Sequence, residues 1–247
     1  MESLNFISLL WTSLAVLVFY ILFRVSAPYG RHNRKGWGPV IPNRWGWFLM
    51  ESPTVFLMIY FFLSADFHPV SLIFLLIWLS HYFYRVFLYP LTLRTKNKDI
   101  PLLVAGLAFF FNIVNVNLNG RTIFYHKSYS IHWITDIRFL IGLLLFITGY
   151  IINKHSDRIL RQLRKPDESG YHIPRGGLYK WISCPNYFGE IIEWTGWAVA
   201  TWSIAGLSFA VWTVANLAPR AKNHHQWYQE HFLNYPRERK ALLPGLW

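Results

Sequence analysis

The sequence predicts an all-α integral membrane protein, a seven-transmembrane helical bundle built from one chain of 247 residues. Three observations predict it. Hydrophobic residues make up 53% of the chain and aromatic residues 19%, above what a water-soluble domain carries. The apolar residues gather in runs of roughly 17 to 25, the length that crosses a bilayer as a helix. The bases fall in blocks between those runs, alternating as loops on the two sides of a membrane do.

The first run, "FISLLWTSLAVLVFYILF", has no small-residue cleavage site behind it and reads as a span that stays. Spans are expected near 4–23, 47–64, 69–89, 101–119, 137–153, 187–202 and 204–220. These runs are too long and continuous for barrel strands, and backbone in hydrocarbon must satisfy its own hydrogen bonds, so they are helices. "TWSIAG" leaves only a tight hairpin between the last two, which makes six spans plus a re-entrant segment the alternative. Charge decides for seven. Of 24 lysines and arginines, all but Arg121, Lys127 and Arg138 fall in or around the 1–2, 3–4 and 5–6 connections and the C-terminal tail. With seven spans the positive-inside rule puts the C-terminus in the cytosol and the N-terminus outside, and an even count breaks the alternation. The expected location is the ER membrane in a eukaryote and the inner membrane in a bacterium.

The net charge of +12 does not point to nucleic acid, because the bases lie in blocks at the ends of apolar runs, as at an anionic membrane surface. A single cysteine, Cys184, excludes an internal disulfide framework and a cysteine-based zinc cluster. His224, His225 and His231 lack the carboxylate or cysteine that would complete a typical metal set, so no metal is expected. The chain is read as a monomer in lipid.

The chemistry gathers at the 5–6 connection. In "INKHSDRILRQLRKP", residues 151–165, Asn153 and Asp157 are four apart and share a helical face, which Arg161 and Arg164 continue. A stretch rich in proline and glycine follows, and the chain re-enters with Asn186, Glu190 and Glu193 at spacings of four and three. Carboxylates at the start of a span are costly unless they face the bundle or a water-filled cavity, though the helix dipole offsets part of that cost. Bases for phosphates, carboxylates for ribose hydroxyls and amides for a carboxamide together fit a dinucleotide. No G-x-G-x-x-G follows a strand, so there is no Rossmann domain and a dinucleotide must lie within the helical bundle.

Other residues carry blander readings. Arg34, Lys35 and the run Arg237 to Lys240 read as surface anchors. Arg85, four after His81, is evenly balanced between a pocket role and a structural ion pair. Asn112, Asn115 and Asn119 form a stripe that reads first as glue between helices. Trp47 and Trp194 are expected to line a flat apolar substrate cavity.

"INKHSDRILRQLRKP", "GLYKWISCPNYFGEIIEW" and "HHQWYQEHFLNYPRERKALLP" closely resemble the steroid 5α-reductase (3-oxo-5α-steroid 4-dehydrogenase) family, and the resemblance covers nearly the whole chain. "YGRH", "WFLMESP" and "HYFYR" resemble further signatures of that family. The resemblance implies a seven-helix membrane reductase that takes hydride from NADPH and saturates the Δ4 bond of a 3-oxo-steroid. It implies that Asn153, Asp157, Arg164, Asn186, Glu190, His224 and Tyr228 line the cofactor pocket, with Tyr29 and Arg31 near the phosphates and Arg94, Lys96 and His172 completing the set. It implies one domain over 1–247, with 137–247 mainly cofactor-binding, and it places Glu51 and Tyr82 on the substrate carbonyl.

The chemistry agrees with those last two roles. Conjugate reduction builds negative charge on the carbonyl oxygen, so the site needs a donor aimed there in a dry cavity. Tyr82 can donate; Glu51 can orient the phenol, or donate itself if burial keeps it neutral. Two departures from the family pattern bear on the steroid preferred and on the phosphate grip: Met50 stands where the mammalian enzymes carry glutamine, and His172 stands in "YHIP" where they carry arginine. The rival readings are an enoyl-thioester or polyprenol reductase of the same superfamily, an S-adenosylmethionine-dependent membrane methyltransferase, and a non-catalytic sterol-binding protein. Methyl transfer needs neither carbonyl polarisation nor so many bases, and mere sterol binding leaves Asn153, Asp157 and Arg164 without a task.

Overall fold

The computed structural model describes residues 1–247 except 27, 29, 33, 35, 94–98 and 164–169, and of residue 31 it describes the backbone only. Seven long helical stretches carry the chain. They are α1 (Glu2–Arg24), α2 (Asn43–Leu63), α3 (Pro69–Phe83) with its continuation α4 (Tyr89–Thr92), α5 (Leu102–Arg121), α6 (Ile137–Gln162), α7 (Pro185–Thr201) and α8 (Ile204–His231). Among the described residues, five are long and apolar enough to cross a membrane: Glu2–Arg24, Asn43–Leu63, Pro69–Thr92, Leu102–His126 and Ile137–Gln162. The protein is thus an integral membrane helical protein. α7, of 17 residues, and α8, whose second half is polar, fall short on length or apolar content.

Two features depart from an all-helical expectation. Val40–Pro42 (β1) pairs antiparallel with Asp99–Pro101 (β2), Val40 opposite Pro101 and Pro42 opposite Asp99. Two helical runs also widen into π-helical turns, at Tyr84–Leu88 between α3 and α4 and at Thr122–His126 after α5. No residue type marks an i→i+5 turn, so neither was legible from composition; such turns gather at functional sites.

The chain packs as two compact units. The first comprises Met1–Ser8, Ala27–Leu140 and Ser203–Ala205. The β1–β2 ladder leads straight into α2 and α5, which run side by side in the same sense, as second and fourth spans should. Gly46 lies against Ile100, the Asn112 amide donates to the Met50 carbonyl at 2.6 Å, and Gly120 leaves room for the Phe61 ring. Asn119 donates to the Asn115 carbonyl at 3.0 Å and to Ala205 O at 3.4 Å. Two members of the asparagine stripe therefore tie backbones together, as buried amides in spans do. α3 starts at Pro69, whose missing N–H costs nothing in a first turn, with the His68 ring accepting from Val70 N at 3.3 Å. Trp78 on α3 donates its indole N–H to Thr54 O on α2 at 2.8 Å.

The second unit comprises Leu9–Ser26, Ile141–Trp202 and Gly206–Trp247. Its centre is the contact of α6 with α7. Gly142 and Gly149 on α6 are seven residues apart, as are Gly189 and Gly196 on α7. A β-carbon on any of the four would run into backbone of the facing helix: Gly142 into Ala200, Gly149 into Glu193 and Gly189, Gly196 into Phe146 and Gly142, Gly189 into Asn153 and Gly149. Without a hydrophobic drive between helices in lipid, such close approach is how spans gain packing energy. α8 is tied to α1 through Trp212 Nε1, which donates to Trp11 O at 3.0 Å, and through Asn223, which donates to Ser26 Oγ at 2.8 Å. The C-terminal segment returns to the entry of α7, where Ser183 N donates to Lys240 O at 2.8 Å and Cys184 N to Ala241 O at 3.2 Å.

Candidate active site

The close approach of α6 and α7 brings four of the expected cofactor residues into one network. Asn153, on α6, donates through Nδ2 to the Asn186 carbonyl at 3.0 Å and to Glu190 Oε2 at 3.3 Å. Asn186 in turn donates through Nδ2 to Asp157 Oδ1 at 3.1 Å. Asn153 is 2% exposed, and its Oδ1 has no hydrogen-bond donor among the described residues. A buried amide oxygen left without a donor is costly, so it marks a place for an incoming N–H. Beside the network Tyr179 is fully buried and its phenol reaches toward the Ser156 carbonyl at 3.5 Å. Burial above all, and then the charge of Asp157, pushes its pKa well above the ordinary tyrosine value, which holds it as a donor.

His224 and Tyr228, one turn apart on α8, belong to the same unit. The His224 ring lies 5.6 Å from that of Tyr187, with Nδ1 3.9 Å from Cys184 Sγ. The Tyr228 ring is stacked on Tyr235 at 5.2 Å and nearly parallel. His172 is exposed. Tyr29, Arg94, Lys96 and Arg164 lie outside the described residues, as does the side chain of Arg31.

The first unit holds the pair expected at the substrate carbonyl. Glu51, on α2, is 8% exposed, and Tyr82, at the end of α3, is 4% exposed. The Tyr82 ring lies 4.8 Å from Trp78 and 5.0 Å from His81. Glu51 Oε1 accepts from Arg85 Nη2 at 3.3 Å. Trp47 packs against Arg85 and, at 5.0 Å, against the Tyr89 ring. Trp194 is 1% exposed among Phe146, Trp197 and Phe209 in the second unit.

One group of residues escaped the sequence reading. Ser183 Oγ lies 2.6 Å from His225 Nδ1 and 2.6 Å from the Tyr235 hydroxyl, and it donates to Lys240 O at 3.1 Å. Arg239, read from its run of charge as a surface anchor, is 5% exposed beneath the Tyr235 ring, with Nε and Nη1 lacking partners among the described residues. Of the run "RERK", Arg237, Glu238 and Lys240 are exposed as expected; nothing local shows that the tail folds back beside Ile182, where Arg239 is buried.

Comparison with known proteins fits these features into one family. Residues 98–247 match the family model described as 3-oxo-5-alpha-steroid 4-dehydrogenase. A steroid 5-alpha-reductase of Gossypium hirsutum is 45% identical over 241 residues, covering 95% of this chain and 93% of that protein. The 3-oxo-5-alpha-steroid 4-dehydrogenase 1 of Homo sapiens is 41% identical over 227 residues, covering 90% of this chain and 87% of its own. That of Bos taurus is 41% identical over 249 residues, covering 98% and 96%. With identity of this order running along nearly its whole length, the chain belongs to the steroid 5α-reductase family.

Proposed function

We propose that this protein reduces the Δ4 double bond of 3-oxo-steroids to the 5α products with NADPH as reductant. The observation that carries the cofactor half is the buried Oδ1 of Asn153, an acceptor without a donor among the described residues, inside a network of two amides and two carboxylates. A nicotinamide carboxamide carries the N–H that this oxygen lacks, and ribose hydroxyls are natural donors to Asp157 and Glu190. The residues fit the group. His224 and Tyr228 extend this lining, and Tyr29, Arg31, Arg94, Lys96, Arg164 and His172 are the bases and donors assigned to its phosphates.

When bound, NADPH supplies the hydride that reaches C5 of the enone. The protein's own task is the oxygen at C3, where negative charge grows. Tyr82 donates a hydrogen bond to that oxygen from a buried position, where one such donor is worth roughly 2.7–4 kcal/mol of transition-state stabilisation. Glu51, held as an acceptor, orients the phenol. A proton at C4 completes the reduction. Trp47 and Trp194 are assigned to the apolar surroundings of the steroid. The seven long helices are taken to cross the membrane in alternation, with the C-terminus in the cytosol, and the enzyme acts as a monomer.

Purified protein in detergent, given NADPH and a Δ4-3-oxo-steroid, is expected to consume the nicotinamide absorbance in step with 5α product. Glu51→Gln is expected to lower turnover by about 100-fold or more while NADPH affinity stays within about twofold. A wild-type protein that binds no NADPH, or oxidises it without forming the 5α-steroid, refutes the reading.

A further inference from the structure

Glu51 and Tyr82 do not account for their own surroundings. Arg85 follows Tyr82 by three residues, so one helical face carries both. Between them the helix changes from α to π geometry, the π turn running Tyr84–Leu88. The Arg85 guanidinium lies 4.7 Å from the centre of the Trp47 ring and 5.1 Å from that of Tyr89, and its Nη2 donates to Glu51 Oε1 at 3.3 Å. Trp47 and Glu51 are themselves four apart on α2. Two helices thus each supply one aromatic wall and one charge.

We propose that Arg85 is the positioning residue of the carbonyl-polarising pair: seated in the corner that the Trp47 and Tyr89 rings form, it fastens one oxygen of Glu51 and fixes the carboxylate as the acceptor that aims the Tyr82 phenol. This rests on the assignment of Glu51 and Tyr82 to the substrate carbonyl. The physical grounds are three. A carboxylate so deeply buried in a spanning helix is tolerated only with a compensating charge, and Arg85 is that charge. A guanidinium set against two rings that meet at 74° has few orientations open to it, whereas a solvated arginine has many, so the carboxylate it holds is pre-organised. Finally, Arg85 lies within the π turn and Tyr89 directly after it, and both meet Trp47 of α2. Trp47 then acts as a wall of the clamp.

The test separates this role from bulk stability and from the functional reading beneath it. Arg85→Met is expected to lower kcat for the Δ4-3-oxo-steroid by about tenfold or more, with KM for NADPH within about twofold of wild type. Arg85→Lys keeps the charge but not the planar guanidinium that the two rings hold, so it is expected to recover part of kcat, and it stands in if the methionine variant does not fold. The double variant Arg85→Met/Glu51→Gln is expected to be no slower than Glu51→Gln alone, because the arginine acts only through the carboxylate. If the two losses multiply, or if neither Arg85 variant changes kcat, the positioning role is overturned while the pair keeps its assignment. If Glu51→Gln turns over at the wild-type rate, the assignment itself falls and the positioning role with it.

Discussion

Gly189 of α7 stands so close to α6 that a β-carbon on it would lie 2.6 Å from the backbone nitrogen of Asn153. The same glycine and its partner Gly149 let Asn153 Nδ2 reach the Asn186 carbonyl and Glu190 across the helix pair. Packing and chemistry are therefore coupled at this contact. Gly189→Ala is expected to push the helices apart, costing about 1–3 kcal/mol as overpacking does. It is also expected to weaken NADPH binding about tenfold, since the network opens with the helices. Thermal unfolding in detergent and nucleotide titration measure the two effects. An alanine variant that unfolds early yet binds NADPH at the wild-type affinity would separate the packing from the site.

Lys127 offers a test of orientation. It follows the fourth candidate span and lies 5.0 Å from the Tyr129 ring and 5.5 Å from the Trp133 ring. Burial against these rings, and then the nearby Arg138, lowers its pKa to about 8. At pH 8 it is thus a better nucleophile than an ordinary lysine. In sealed vesicles with the cytosolic face outward, a membrane-impermeant amine-reactive reagent is expected to label Lys180 and Lys222 and to spare Lys127 until the membrane is opened. Labelling of Lys127 in those sealed vesicles, with Lys180 spared, reverses the proposed topology.

What could be read in advance follows the range of the interactions. Asn153, Asp157, Asn186 and Glu190 were legible as a group because polar residues at spacings of four share one helical face, and the structure joins all four. The helices were legible because length and apolarity are local. Gly142, Gly149, Gly189 and Gly196 were not singled out, although two matched spacings of seven in adjacent spans are the visible trace of a close contact. Arg85 was balanced between two roles because its partner, Glu51, lies on another helix, 34 positions away. The burial of Arg239 depends on a tail that pairs with Ile182, a contact no local pattern reveals.

That tail makes stability depend on pH. His225, on the part of α8 beyond the expected span, has both ring nitrogens engaged, Nδ1 with Ser183 Oγ at 2.6 Å and Nε2 with the Gln229 amide at 2.9 Å. The Gln229 N–H donates into Nε2, so Nδ1–H donates to Ser183 and the imidazole is neutral. Tyr235 then donates to the same Ser183 oxygen, whose own proton goes to Lys240 O. Burial chiefly, and then the charges of Lys240 and Arg239, lowers the pKa of His225 below its ordinary value of 6.5. A histidine with a depressed pKa binds fewer protons in the folded state than in the unfolded one, so stability falls as pH drops through 6.5 and levels off below the folded pKa. Protonation would also turn Nε2 into a donor facing a donor. Melting of the protein in detergent is expected to shift downward between pH 7.5 and pH 5.5. His225→Asn, which cannot take up the proton, is expected to flatten that slope while lowering the melting temperature at neutral pH through the lost hydrogen bonds. A variant that keeps the full wild-type slope would assign the pH dependence to other groups.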